Sequence, residues 1–193
     1  MNQTQNINKR ALLLLSGGID STACLHFLLS NSFTVSSIFI DYGQPSGIYE
    51  EQHAIKIASH FSVPFEKIKI SPIKIADNGF IKGRNFMLFS TALMSLDFDY
   101  GVVATGIHSG TDYLDCSPIF LQKVQDVYDI YTQGQVQIFT PFLYWKKIDT
   151  WNYCKKNSLP VELTYSCENG LEQPCGKCIS CADLIKLYGS KVD

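Results

Sequence analysis

The sequence predicts an α/β fold, a doubly wound parallel sheet, and three observations carry that prediction. Short apolar runs recur at residues 11–15, 35–40, 67–70, 101–105 and 136–140. Segments with apolar residues at helical spacing follow them, at residues 21–29, 49–61, 85–96, 118–131 and 147–156. No internal repeat, linker or low-complexity tract interrupts the alternation, so residues 1–193 read as one domain. A strand that reaches a parallel neighbour through a helix does so right-handed, which places helices on both faces of the sheet.

The first run, ALLLL, is too short to span a bilayer and suits a strand buried on both faces. It stops at SGGIDS. The second run ends in DYGQ, and the fourth leads into GIHSGTDYLDC. In open parallel sheets ligands sit outside the carboxyl ends of the strands, so these three loops are expected to converge on one crevice. From residue 164 onward the composition changes, and four of the seven cysteines crowd into a tail that can fold back beside the crevice.

Composition narrows the function classes. With 46% apolar and 18% charged residues the chain reads as a globule, and no stretch approaches the ~18 consecutive apolar residues of a membrane helix. The opening MNQTQNINKR is polar rather than an export signal, which places the chain in the cytoplasm with its thiols reduced. Sixteen basic residues against 18 acidic ones give a net charge of -2, with no basic run, so a nucleic-acid partner is disfavoured. Folding can still assemble a local patch.

Ser16, Gly17, Gly18, Asp20 and Ser21 form a loop whose successive backbone N–H groups, helix N-terminus and hydroxyls attract an oxyanion. It has neither the Walker A spacing and lysine nor a G-x-G-x-x-G pattern. The plainer reading is a tight strand-to-helix turn capped by Asp20. In the tail, Cys167, Cys175, Cys178 and Cys181 follow C-x7-C-x2-C-x2-C, a spacing that lets one tetrahedral Zn²⁺ gather four thiolates. Pro174 and Gly176 supply the turn chemistry of a knuckle. An iron–sulfur cluster is the rival; disulfides are disfavoured in a reducing compartment. A closed four-thiolate site is structural. Cys24 and Cys154 sit on predicted helix faces as core residues.

The string SGGxDS between a buried strand and a helix resembles the pyrophosphate loop of the ATP pyrophosphatase (PP-loop) superfamily, which splits ATP between the α and β phosphates. With FIDYGQ at residues 39–44, GRN at 83–85, YLDC at 113–116, PFLYWKKIDTW and the cysteine tail, the chain resembles the 7-cyano-7-deazaguanine synthases nearly end to end. That resemblance implies ATP and Mg²⁺ as cofactors, a structural Zn²⁺, and adenylation of the carboxylate of 7-carboxy-7-deazaguanine followed by attack of ammonia.

By the same resemblance Asp20, Ser21 and Arg84 are catalytic, with Asp20 holding Mg²⁺, and Asp41 joins the glycine loop in binding ATP. Tyr42, Gln44, Arg84, Asn85, Asp115 and Cys116 are the substrate-side candidates. A guanidinium at Arg84 suits a phosphate or a carboxylate, and the Asp115 carboxylate suits the guanine-like edge. The competing readings are a half-buried aromatic at Tyr42, a solvated first-turn charge at Arg84 and a helix cap at Asp115. His108 faces the crevice or is an ordinary polar residue.

Pro45-Ser46 stands where the family has Arg-His, and YLDCS where it has YPDCR. ATP handling reads as intact and the nucleophile side as altered. This suits a divergent relative, as found in antiphage operons, that passes the activated deazaguanine to a protein amine instead of ammonia. A tRNA-modifying PP-loop enzyme and a zinc-stabilised nucleotide module without catalysis are the further alternatives. A homodimer is also compatible with the sequence.

Overall fold

The computed structural model describes residues 9–71, 81–110 and 113–189. Five parallel strands, β1 Arg10–Leu14, β2 Thr34–Asp41, β3 Phe65–Lys69, β4 Gly101–Ala104 and β5 Val136–Phe139, lie in the order β3-β2-β1-β4-β5. The helices are α1 Ile19–Ser30, α2 Gly47–His60, α3 Arg84–Met94, α4 Pro118–Thr132, α5 Lys147–Lys156 and α6 Ile179–Gly189. All ten expected elements are present, with ends displaced by a residue or two. Helix α6, inside the cysteine tail, was not expected from the sequence.

Alternation along β1 sorts the core. Ala11, Leu13 and Leu15 pack with Ala23, Leu25 and Leu28 of α1, Ala54 and Ile57 of α2, and Trp151 and Cys154 of α5. Leu12 points the other way, into a second cluster with Phe89 of α3 and Leu121, Val124 and Tyr128 of α4. A strand whose successive side chains alternate faces needs apolar residues at every position when both faces are covered, and this is why the sequence reads ALLLL without interruption. Tyr128 closes the second layer by donating to the Phe89 carbonyl at 2.6 Å. Cys24 and Cys154 are both fully buried, and burial pushes both thiols up, Cys154 to about 12.

Ala11 of β1 sits opposite Val35 on one side and Val102 on the other. The chain therefore leaves β1 toward β2 and β3, while β4 and β5 extend the sheet the opposite way. Connections diverge between the carboxyl ends of β1 and β4, which is where a doubly wound sheet places its ligand.

Outside β5 the sheet edge is occupied by a side chain. Gln125 of α4 accepts from the Ile138 N–H at 2.6 Å and donates to the Val136 carbonyl at 3.1 Å. Helix α4 is capped by Ser117, whose hydroxyl accepts from the Phe120 N–H at 3.2 Å, so Asp115 is not its cap. Among the described residues no helix is long and apolar enough to cross a membrane.

Candidate functional site

The glycine loop is fixed from three sides. Gly17 adopts φ +76, and a Cβ there would lie 2.6 Å from the Glu50 carbonyl oxygen and 2.8 Å from the Ala54 nitrogen, so the loop is packed directly on α2. We expect Gly17→Ala to lose more than about 2 kcal/mol of stability, read as a fall in melting temperature, because backbone strain and a backbone clash add. The Ser21 and Thr22 hydroxyls donate to the Gly18 carbonyl at 3.0 and 2.9 Å, and Ser16 donates to Ser21 at 3.2 Å. Gly18 is the N-cap of α1 and no side chain caps that helix; Asp20 lies inside its first turn. The opening N–H groups of α1 are thus left for an anion.

Opposite this loop stands a lysine that no motif singled out. Lys147, the first residue of α5, forms an ion pair with Asp20, each side chain less than a third exposed at 29% and 27%. Asp149 sets the start of that helix by accepting from the Lys146 N–H at 2.8 Å. Only Oδ2 of Asp20 is engaged. Asp20 Oδ1 is buried with no hydrogen-bond partner among the described residues, and so is His108 Nδ1. His108 follows β4 on a loop pressed against α1, where a Cβ on Gly106 would lie 2.5 Å from the Asp20 carbonyl. Ser109 anchors that loop by donating from both N–H and hydroxyl to the Leu143 carbonyl at 2.7 Å. Burial pushes the imidazole below its ordinary value, with Asp20 and Asp183 pulling up and Lys147 pulling down.

The substrate-side candidates gather in a second cluster, around Arg84. Its guanidinium faces the Tyr42 hydroxyl and the half-buried Glu50 carboxylate, and its Nε donates to Asn85 Oδ1 at 3.4 Å. Burial raises both Tyr42 and Glu50, and the arginine opposes it. Two of the substrate-side candidates also brace the loops around them. The Gln44 amide accepts from the Tyr42 N–H at 3.0 Å and donates to Ile40 O at 3.2 Å and to Glu50 Oε2 at 3.1 Å. Asn85, 3% exposed, donates to the Asp115 carbonyl at 2.9 Å and to Cys116 Sγ at 3.5 Å, holding the 3₁₀ turn Leu114–Cys116 against the start of α3. Asp115 Oδ2 accepts the Asn85 N–H at 3.3 Å, which leaves its second oxygen available.

Asp41 is the last residue of β2. Burial pushes its carboxyl up, but the Gly43 N–H and Lys67 outweigh that and hold it below the ordinary range, with Lys67 Nζ at 3.3 Å. Ser46 is 5% exposed and donates to Glu50 Oε1 at 2.8 Å, and Gly170 of the tail packs on the backbone carbonyl of Pro45, whose ring is exposed.

The sulfurs of Cys167, Cys175, Cys178 and Cys181 all lie within 4.8 Å of one another. Backbone N–H groups of Lys177 and Cys178 point at Cys175 Sγ from 3.4 and 3.3 Å, and these donors hold its thiol down to about 6. Four converging sulfurs, one already favoured as thiolate, suit a metal ion.

A parallel sheet with a glycine loop at the switch point, and an acidic residue in the first turn of the following helix, defines a PP-loop α/β protein. The chain belongs to the family described as queuosine biosynthesis protein QueC, whose model matches residues 10–77 and 73–186. It is 28% identical over 205 residues to the 7-cyano-7-deazaguanine synthase of Pseudoalteromonas atlantica, covering 93% of this chain and 94% of that one. The synthase of the same name from Psychromonas ingrahamii is 28% identical over 210 residues, with 95% of each chain covered. Among solved structures the fold is similar to a U34-tRNA thiolase from Methanococcus maripaludis, with a TM-score of 0.55 and 14% identity over 92% of this chain and 64% of that one. It is also similar to a predicted tRNA methyltransferase subunit from Methanocaldococcus jannaschii, at 0.51 and 17% over 77% and 76%.

Proposed function

We propose that the chain adenylates the carboxylate of a 7-deazaguanine with ATP and passes it to ammonia, as a 7-cyano-7-deazaguanine synthase does. The observation that carries this reading is the pairing of Asp20 and Lys147 over an uncapped helix start. Family membership and relatives of that name over nearly the whole chain support it.

In this reading the N–H groups after Gly17 and the hydroxyls of Ser16 and Ser21 hold the phosphates, and Asp20 Oδ1 is the open ligand position for Mg²⁺. Asp20 would hold Mg²⁺ there, and the ion would supply charge neutralisation for the departing pyrophosphate. Lys147, once Asp20 is engaged elsewhere, turns its ammonium to a phosphate oxygen. Arg84 takes the substrate carboxylate, and the open oxygen of Asp115 takes ring N–H groups. A carboxylate oxygen attacks the α-phosphorus, pyrophosphate leaves, and ammonia then displaces AMP to give an amide and release a proton. A second ATP-driven dehydration gives the nitrile. Zn²⁺ in the tail supplies folding free energy and no chemistry.

The test is incubation with ATP, Mg²⁺ and 7-carboxy-7-deazaguanine, with and without ammonium, followed by mass spectrometry. AMP and pyrophosphate should form only with the acid present, and the nitrile only with ammonium. No AMP from that acid would sink the reading. An adenylate that ignores ammonium would replace ammonia by a larger amine.

A further inference from the structure

The tail does more than close over the core. Tyr165, 7% exposed and two residues before Cys167, donates its backbone N–H to the Gly17 carbonyl at 2.9 Å. Its ring stacks on Tyr49 of α2 with centroids 5.3 Å apart and 21° between planes, and lies 5.4 Å from the His53 ring. The hydroxyl donates to the Leu171 carbonyl at 2.7 Å, inside the loop that joins Cys167 to Cys175. One residue earlier, Gly170 at φ +63 is pressed on the loop after β2, where a Cβ would lie 2.0 Å from the Pro45 oxygen. A single residue thus touches the glycine loop with its backbone and the cysteine loop with its side chain.

The bond to Gly17 has a directional consequence. A trans peptide is planar, with its C=O and the following N–H pointing in opposite directions. Holding the Gly17 carbonyl toward Tyr165 therefore aims the Gly18 N–H away from the tail. In the nucleotide reading above, on which this inference rests, that N–H belongs to the anion cradle. Displacing Tyr165 frees the peptide to rotate, so the cradle loses a preset donor.

We propose that Tyr165 is a positioning residue that couples the four-cysteine site to the glycine loop, so that metal retention in the tail and nucleotide binding reinforce each other. Coupling between two binding sites is reciprocal, so it can be read from either end. Were the tail only a cover, nucleotide would leave the metal indifferent.

The experiment uses the full chain loaded with Zn²⁺ and follows metal transfer to a chromogenic chelator, with and without saturating α,β-methylene-ATP and Mg²⁺. Nucleotide should slow release about tenfold, within the ordinary range for coupled sites. In Tyr165→Ala, which removes the stack and the hydroxyl, the slowing should fall below about twofold, and nucleotide should bind more weakly to the metal-loaded protein. Tyr165→Phe keeps the stack and should retain most of the effect. If Tyr165→Ala does not fold, Tyr165→Leu fills the slot without stacking and takes its place. Nucleotide that binds without slowing release from the unaltered chain, or that slows it equally in the alanine or leucine variant, overturns the proposal. A chain that binds no nucleotide overturns the PP-loop reading beneath it, an outcome distinct from failed coupling.

Discussion

Asp20→Asn is expected to lower pyrophosphate release by at least about a hundredfold while the protein stays folded. The substitution keeps the shape of the side chain and removes the charge that faces Lys147 and the open Oδ1 position. Its structural cost is small, because the ion pair it breaks is partly solvated and such pairs are worth about 1 kcal/mol. The loss should therefore appear in turnover, with little change in melting temperature. Lys147→Met is the companion variant: it leaves the Asp20 carboxylate in place and removes the cation, so a comparable fall in turnover assigns the chemistry to the pair. Pyrophosphate release at the original rate in the asparagine variant would remove Asp20 from the mechanism.

Cys178→Ser is expected to reduce bound metal from about one ion per chain to almost none, and to unfold the tail. Three thiolates leave a site open to water, and the small cluster of Tyr165, Cys167 and Cys181 has few other apolar partners. Elemental analysis of the purified variant, beside its circular dichroism, checks both parts. Stoichiometric iron in the unaltered chain would replace Zn²⁺ by a cluster, and well-folded protein holding no metal would remove the site altogether.

Much of this was legible because local rules agreed. Five apolar runs broken by helical periods require a covered parallel sheet, and the switch-point rule then places SGGIDS at its mouth. Lys147 was hidden by distance, since it meets Asp20 across 127 residues of chain. One local signal did exist. Lys146 and Lys147 open a helix where the dipole favours acidic residues, and a cation kept there needs a partner. Gln44 and Asn85 show a second limit of the sequence. Amides in loops beside a site look like ligands, and the loop-bracing bonds that they also make depend on partner atoms that no local spacing reveals. Helix α6 was obscured because the cysteine spacing dominated the tail, although ISCADLIKLYG carries apolar residues at helical spacing.

The amide of Gln125 bears on how copies of this chain can meet. A bare margin of a parallel sheet offers every second residue's N–H and C=O to any passing extended segment, and that is how strands recruit one another into ribbons. At β5 two of those groups, Ile138 N–H and Val136 C=O, are already bonded to one side chain, which imitates an incoming strand and ends there. Asp129 holds that side chain in place, accepting from its amide at 2.7 Å. An intruding strand would have to displace Gln125 before making its first ladder bond. Growth of the sheet from one molecule into the next is blocked on this side by a single glutamine.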